Sequence, residues 1–80
     1  MEKEIGRFGK NSFESIRVCL TPYRGKDYLD LRILVQDKTG SWIPTRKGIC
    51  IGVGLISELR SLLAKAEDAI PQMGVLPADD

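Results

Sequence analysis

Eighty residues carrying a net charge of +1 make one small domain, near the size at which a single core barely suffices. There is no histidine, so the commonest general base is missing, and the only cysteines, Cys19 and Cys50, fit no metal-ligand spacing. No apolar run approaches membrane-spanning length and MEKEIGRFGK has no apolar leader core. The expectation is therefore a soluble, intracellular protein that is not an enzyme, needs no cofactor or metal, and does not touch a membrane.

The charge is distributed more tellingly than its sum. From Lys10 to Lys47 eight basic residues stand against four acidic ones; from Gly48 onward two basic residues stand against five acidic ones. A net of +4 followed by a net of −3 points to a polyanionic partner on one side of the fold only.

In chain order, residues 1–12 are polar and Gly-containing, with Ile5 and Phe8 as the sizeable apolar anchors. They read as a flexible arm or a short edge strand. Gly6 to Asn11 is no phosphate-binding loop, because the glycines are too close and Asn11 follows the Lys where a Ser or Thr is needed. Phe13 to Leu20 alternates with the period of a half-buried strand, Ile16, Val18 and Leu20 on one side, Ser15, Arg17 and Cys19 on the other. Pro22 ends it, and Arg24-Gly25 forms a hairpin tip.

Asp27 to Gln36 is the cleanest strand: Leu29, Leu31, Ile33 and Val35 form an apolar face, opposite Tyr28, Asp30, Arg32 and Leu34. Asp37 to Gly40 is a turn. Ser41 to Thr45 reads as a short strand, edged or bent by Pro44, and Arg46 to Ile51 as a fourth. Both cysteines fall in apolar strand patterns and read as small buried hydrophobes.

The period then changes. Leu55, Leu59, Leu62, Leu63, Ala66 and Ile70 recur at steps of three and four, an amphipathic helix that should cover the sheet, with Pro71 closing it. Residues 71–80 read as a flexible tail. This is an α+β chain of the order ββββα, with one domain over residues 13–70.

Catalysis finds no support, whereas one set of side chains has a coherent use. Tyr23, Arg24 and Lys26 share a hairpin tip, Arg32 projects from the next strand, Trp42 and then Arg46 and Lys47 follow, and Arg17 lies on the outward side of the first strand. Aromatic rings flanked by cations are what unpaired bases require: rings stack on bases while Arg and Lys hold phosphates. The competing reading is a solubilised sheet face with Trp42 capping the core.

The stretch from Tyr23 to Ile49 also resembles a known family. Tyr23-Arg24-Gly25-Lys26, Leu29-Asp30-Leu31-Arg32, Asp37, Gly40, Pro44 and Arg46-Lys47-Gly48-Ile49 are similar, without gaps, to the C-terminal domain of the transcriptional coactivator positive cofactor four. The resemblance implies a curved four-stranded antiparallel sheet, a C-terminal helix and a symmetric homodimer whose channels take single-stranded DNA or melted duplex. It also implies that Tyr23 stacks or packs at the channel, and that Arg24, Lys26, Arg32, Arg46 and Lys47 contact phosphates or bases. Leu34 and Val35 stand where the family has a Tyr-Trp pair, with Trp42 on the neighbouring strand as a replacement. The helix starts from Gly52-Val53-Gly54 in place of the family's Asn-Pro.

The expectation is a dimeric protein that binds single strands with little sequence preference, in transcription, replication or repair. Its partners would be other transcription or replication proteins, in the cytoplasm beside a nucleoid or in a nucleus. RNA as the ligand and a protein-binding adaptor remain the alternatives.

Overall fold

The computed structural model describes residues 2–74. Four strands, β1 (Lys3–Gly9), β2 (Glu14–Tyr23), β3 (Lys26–Gln36) and β4 (Trp42–Gly52), form one antiparallel meander in the order β1-β2-β3-β4. A 3₁₀ turn over Val53–Leu55 leads into the helix α1 (Ile56–Met73). The ββββα order agrees with the sequence reading, but three boundaries do not.

Residues 3–9, read as a loose arm or short edge strand, form β1, paired with β2 from Lys3↔Leu20 to Gly9↔Ser15. Their polar, glycine-broken pattern hides the strand because only one edge is paired and a bulge between Glu4 and Gly6 interrupts the alternation. The two short strands read over residues 41–51 are one strand, β4, with an irregularity opposite Ile33. Pro44 sits beside that irregularity on the sheet edge, where no ladder hydrogen bond is lost. Finally, α1 runs through Pro71 and stops at Gly74, which takes the left-handed conformation (φ 65°). Pro71 lies in the last turn, where a missing hydrogen bond costs least. The remainder of the tail expected over residues 71–80, from residue 75, lies outside the described residues.

The turns follow local chemistry. Arg24 (φ 51°) and Gly25 (φ 77°) form a two-residue loop between β2 and β3, both with positive φ as in a type I′ turn. Between β3 and β4 the Asp37 carboxylate accepts from the amides of Thr39 (2.8 Å) and Ser41 (3.0 Å) and from the Thr39 hydroxyl. These hydrogen bonds hold the Asp37 carboxyl below the usual carboxylate range. Between β1 and β2, Asn11 Oδ1 caps the amides of Phe13 and Glu14.

The sheet has two unlike faces. One carries Ile16, Val18, Leu29, Leu31, Ile33 and Ile49 and looks toward α1. The helix nevertheless does not close over it: no residue of α1 is buried. Of the expected helix core, Leu59 is half-buried, Leu55, Leu62, Leu63 and Ala66 are exposed, and Leu55 belongs to the 3₁₀ turn.

The other face carries Ser15, Arg17, Cys19, Asp30, Arg32 and Leu34. The two most deeply buried side chains, Cys19 and Leu34, lie here, although no other described element covers this face. Burial without a covering layer means that flanking side chains close over them; on the curved sheet that the family resemblance implies, this polar side is the concave one. Cys19 is buried as the sequence reading requires, and burial raises its thiol pKa. Cys50 is exposed, contrary to that reading, because β4 is an edge strand with no neighbour beyond it.

Gly48 is the position at which the sheet admits no side chain. It has φ 151°, and a Cβ there would overlap the Leu31 carbonyl oxygen and lie 3.1 Å from Arg32 Cα. Gly48→Ala should therefore destabilise the fold by about 1–3 kcal/mol or unpair β4. Urea unfolding checks this: the midpoint should fall at unchanged m-value, whereas Gly54→Ala, with nothing within 4 Å of the new Cβ, should leave it nearly in place.

Candidate nucleic-acid interface

The concave face is built around β3. Residues in direct register across an antiparallel sheet share a face, so Arg7↔Arg17 and Arg17↔Arg32 put three arginines in one row, with Gly48 opposite Arg32 at its end. The neighbouring row is Glu4, Cys19, Asp30 and Cys50. Two of the arginines are engaged by carboxylates from that row. Arg7 forms a bidentate pair with Glu4 (2.6 and 2.8 Å), and Arg32 grips Asp30 (2.5 and 3.3 Å).

Arg32 does a second thing. Its Nη1 donates to the Arg46 carbonyl (3.1 Å), while the Thr45 hydroxyl donates to the Ile33 carbonyl (2.8 Å) and accepts from the Lys47 amide. Together they pin the irregular stretch of β4 to β3, which explains the succession Pro44-Thr45-Arg46-Lys47-Gly48. Pro44 needs no ladder partner, Thr45 supplies side-chain bonds in place of lost backbone ones, and Gly48 lets the strands approach again. Arg46 and Lys47 sit on the exposed crest, beside Arg32. The Asp30 carboxylate holds the Arg32 guanidinium yet more firmly protonated.

The hairpin tip forms one end of the face. Tyr23 is exposed and meets Tyr28 edge to face (centroids 6.4 Å apart), while the Arg24 guanidinium lies 5.2 Å from the Tyr23 ring centroid. Lys26 pairs with Tyr23 across the hairpin. Arg24 is the one non-glycine among the described residues with positive φ, a conformation that costs an ordinary side chain on the order of 1 kcal/mol. The other end carries Trp42, half-buried, in register with Gln36 and so on the face of Arg32. Tyr28 and Gln36 are about 26 Å apart along β3 at roughly 3.3 Å per residue.

The residues singled out from sequence therefore fall into three groups along one face or its edge. Tyr23, Arg24 and Lys26 form one end, Arg17, Arg32, Arg46 and Lys47 the middle, and Trp42 the other end. Tyr28 and Arg7 were missed. Tyr28 could have been found from its place on the Asp30–Arg32 side of β3; Arg7 could not, because neither the extent nor the register of its strand was legible. At the Trp42 end, the β1–β2 turn presents Phe13, 76% exposed. In that turn Glu14 accepts from Asn11 Nδ2 (2.8 Å) and Lys10 Nζ (3.3 Å), and these bonds, with the Lys47 charge beyond them, hold its carboxyl low.

Two expected outcomes follow from this geometry. Arg32→Ala strands the buried Asp30 carboxylate and frees the β4 crest, so it should cost roughly 1–3 kcal/mol in chemical denaturation. Arg24→Asn should raise the denaturation midpoint slightly, by a few tenths to about 1 kcal/mol, because Asn tolerates positive φ.

Comparison with known proteins agrees with this architecture. The family model described as Transcriptional Coactivator p15 (PC4) matches residues 10–62, more than half of the chain. The crystal structure of BPSL1147, a PC4 homologue from Burkholderia pseudomallei, is similar at 35% identity and a TM-score of 0.75, over 81% of this chain and 88% of that one. A second crystal form of the same protein gives 34% identity and a TM-score of 0.74, over 84% and 98%. A bacteriophage T5 homologue of the coactivator, implicated in recombination-dependent DNA replication, shares the fold at 19% identity and a TM-score of 0.59, over 90% and 81%. No curated protein matches the chain.

Proposed function

The chain belongs to the transcriptional coactivator p15 (PC4) family, and from that premise we propose that it is a homodimeric, non-enzymatic protein that binds single-stranded DNA along its concave sheet face. The observation that carries this reading is the arrangement of that face, with aromatic rings at both ends and cations between them. Unpaired bases stack on Tyr23, Tyr28 and Trp42, and the cations of the middle and of the hairpin tip hold phosphates. Such contacts read backbone and ring, so sequence preference is weak. The role in the cell would be in transcription or replication, beside the proteins that expose single strands.

The dimer rests on unfinished burial. The apolar sheet face and the helix enclose an open groove of about 660 Å³ lined by Val18, Leu31, Ile33, Ile56, Leu59 and Leu63 among others. Leu55 (48% exposed), Leu62 (62%), Leu63 (57%) and Ile70 (47%) remain in water. A face this apolar is a docking surface. A second copy fits it because each chain offers both parts required, an apolar sheet face and an unpartnered amphipathic helix, so a two-fold pairing serves both at once.

Fluorescence anisotropy with labelled oligo-dT, against the matching duplex and oligo-rU, tests the ligand. Single-strand binding should exceed duplex binding and fall steeply with salt. Equal binding of oligo-rU would widen the ligand to RNA, and no binding at low salt would end the reading. Lys47→Ala should weaken binding while leaving the denaturation midpoint unchanged, in contrast to Arg32→Ala. Sedimentation at micromolar concentration should find a dimer, and Leu63→Asp should shift it to monomer; a monomeric parent chain would remove the dimer.

A further inference from the structure

The three arginines of the concave row are not equivalent. Arg7 is bound to Glu4 through two hydrogen bonds, and Arg32 to Asp30 and the Arg46 carbonyl. Arg17 lies in register between them, its side chain makes no hydrogen bond or ion pair among the described residues, and its Nε is buried without a partner there. The residue is half-buried and is flanked by Arg7 and Arg32 on the two neighbouring strands. Glu4, a carboxylate that feels the Arg17 charge, is already paired with Arg7.

This arrangement works against folding. Like charges directly opposite in a sheet are unfavourable, and a buried donor left unpaired costs more than an exposed one. An arginine cannot escape by losing its proton. The row thus holds one positive charge that the chain does not neutralise, at the middle of the face and between the aromatic ends. An anion with several oxygens would satisfy it, since its Nη groups remain free to donate in a fork.

We propose that Arg17 is the central phosphate anchor of this face, the one arginine of the row that grips a backbone phosphate of the bound strand. Arg7 and Arg32 shape the site around it, each already paired with a carboxylate of its own strand. This rests on the single-strand-binding reading and deepens it, because it divides the row between one contact and two supports. It also changes the part the sequence gives to Arg32, whose guanidinium is committed to Asp30 and β4.

The test is Arg17→Met, which keeps the stem and removes the charge, measured beside the parent chain, Arg17→Lys and Arg7→Met. Arg17→Met should lose affinity for oligo-dT on the order of tenfold, with the salt slope of log K against log salt reduced by about 0.7, the loss of one phosphate contact to a single strand. Its melting temperature without DNA should stay level or rise, because an uncompensated charge has gone. Arg17→Lys should recover part of the affinity, and Arg7→Met, which releases Glu4 to pair with Arg17, should weaken binding and lower the salt slope as well, an effect that Glu4→Gln in the same chain should reverse. If the parent binds and Arg17→Met binds equally well with the same slope, the inference fails while single-strand binding stands. A fall in melting temperature with unchanged affinity would make Arg17 a structural residue and overturn it in the same way. If the parent chain itself does not bind oligo-dT, the single-strand-binding reading and this inference fall together.

Discussion

Arg32 joins the parts of this protein that would otherwise be independent. Through Asp30 it is fixed to its own strand, and through the Arg46 carbonyl it fixes the irregular stretch of β4. That stretch cannot be a regular ladder: between the pairs Arg32↔Gly48 and Leu34↔Pro44, β4 spends more residues than β3. The surplus has to be bonded by side chains, which Thr45 and Arg32 supply, and it has to rejoin at a residue without a Cβ, which is Gly48. The crest so formed holds up Arg46 and Lys47 at the edge of the face. A charge pair, a bulge and a glycine thus form a single construction with two exposed cations on top.

The concave face combines two demands that usually conflict. It contains the best-buried apolar side chains, Cys19 and Leu34, and also the densest row of cationic ones. Long guanidinium-bearing stems make this possible, since they cover apolar surface with their methylene groups while keeping their charged heads near water. Pairing Arg7 with Glu4 and Arg32 with Asp30 removes most of the repulsion that three adjacent arginines would create. What remains unneutralised is confined to Arg17 and to the exposed cations at the crest and hairpin tip. The fold thereby keeps its charge where a polyanion can reach it.

The opposite face shows the converse economy. Its apolar strip is half-finished in one chain, and α1 stands over it without burying any of its own residues. For a chain of this size the apolar area available is small, so surface left uncovered is a large share of the possible stabilisation. Were a second copy to supply the missing layer, as proposed above, folding and association would be coupled.

Much of this was legible in the sequence. The two-residue alternation over Ile16 to Leu20 and Leu29 to Val35 determined β2 and β3 and their apolar face. Arg24-Gly25 and Asp37 to Gly40 determined the turns, and the leucine spacing determined α1, because each of these signals is local and repeats within a few residues. The β1 strand was legible only as one of two alternatives, a flexible arm or a short edge strand, since a bulged edge strand needs only one neighbour and little apolar pattern. The union of residues 42–52 into one strand, and the passage of α1 through Pro71, depended on bonds made far along the chain or on how little the last turn carries. Tertiary structure alone decided which arginine is free: Arg7, Arg17 and Arg32 look alike in sequence, and only the register that places carboxylates beside two of them sets the third apart.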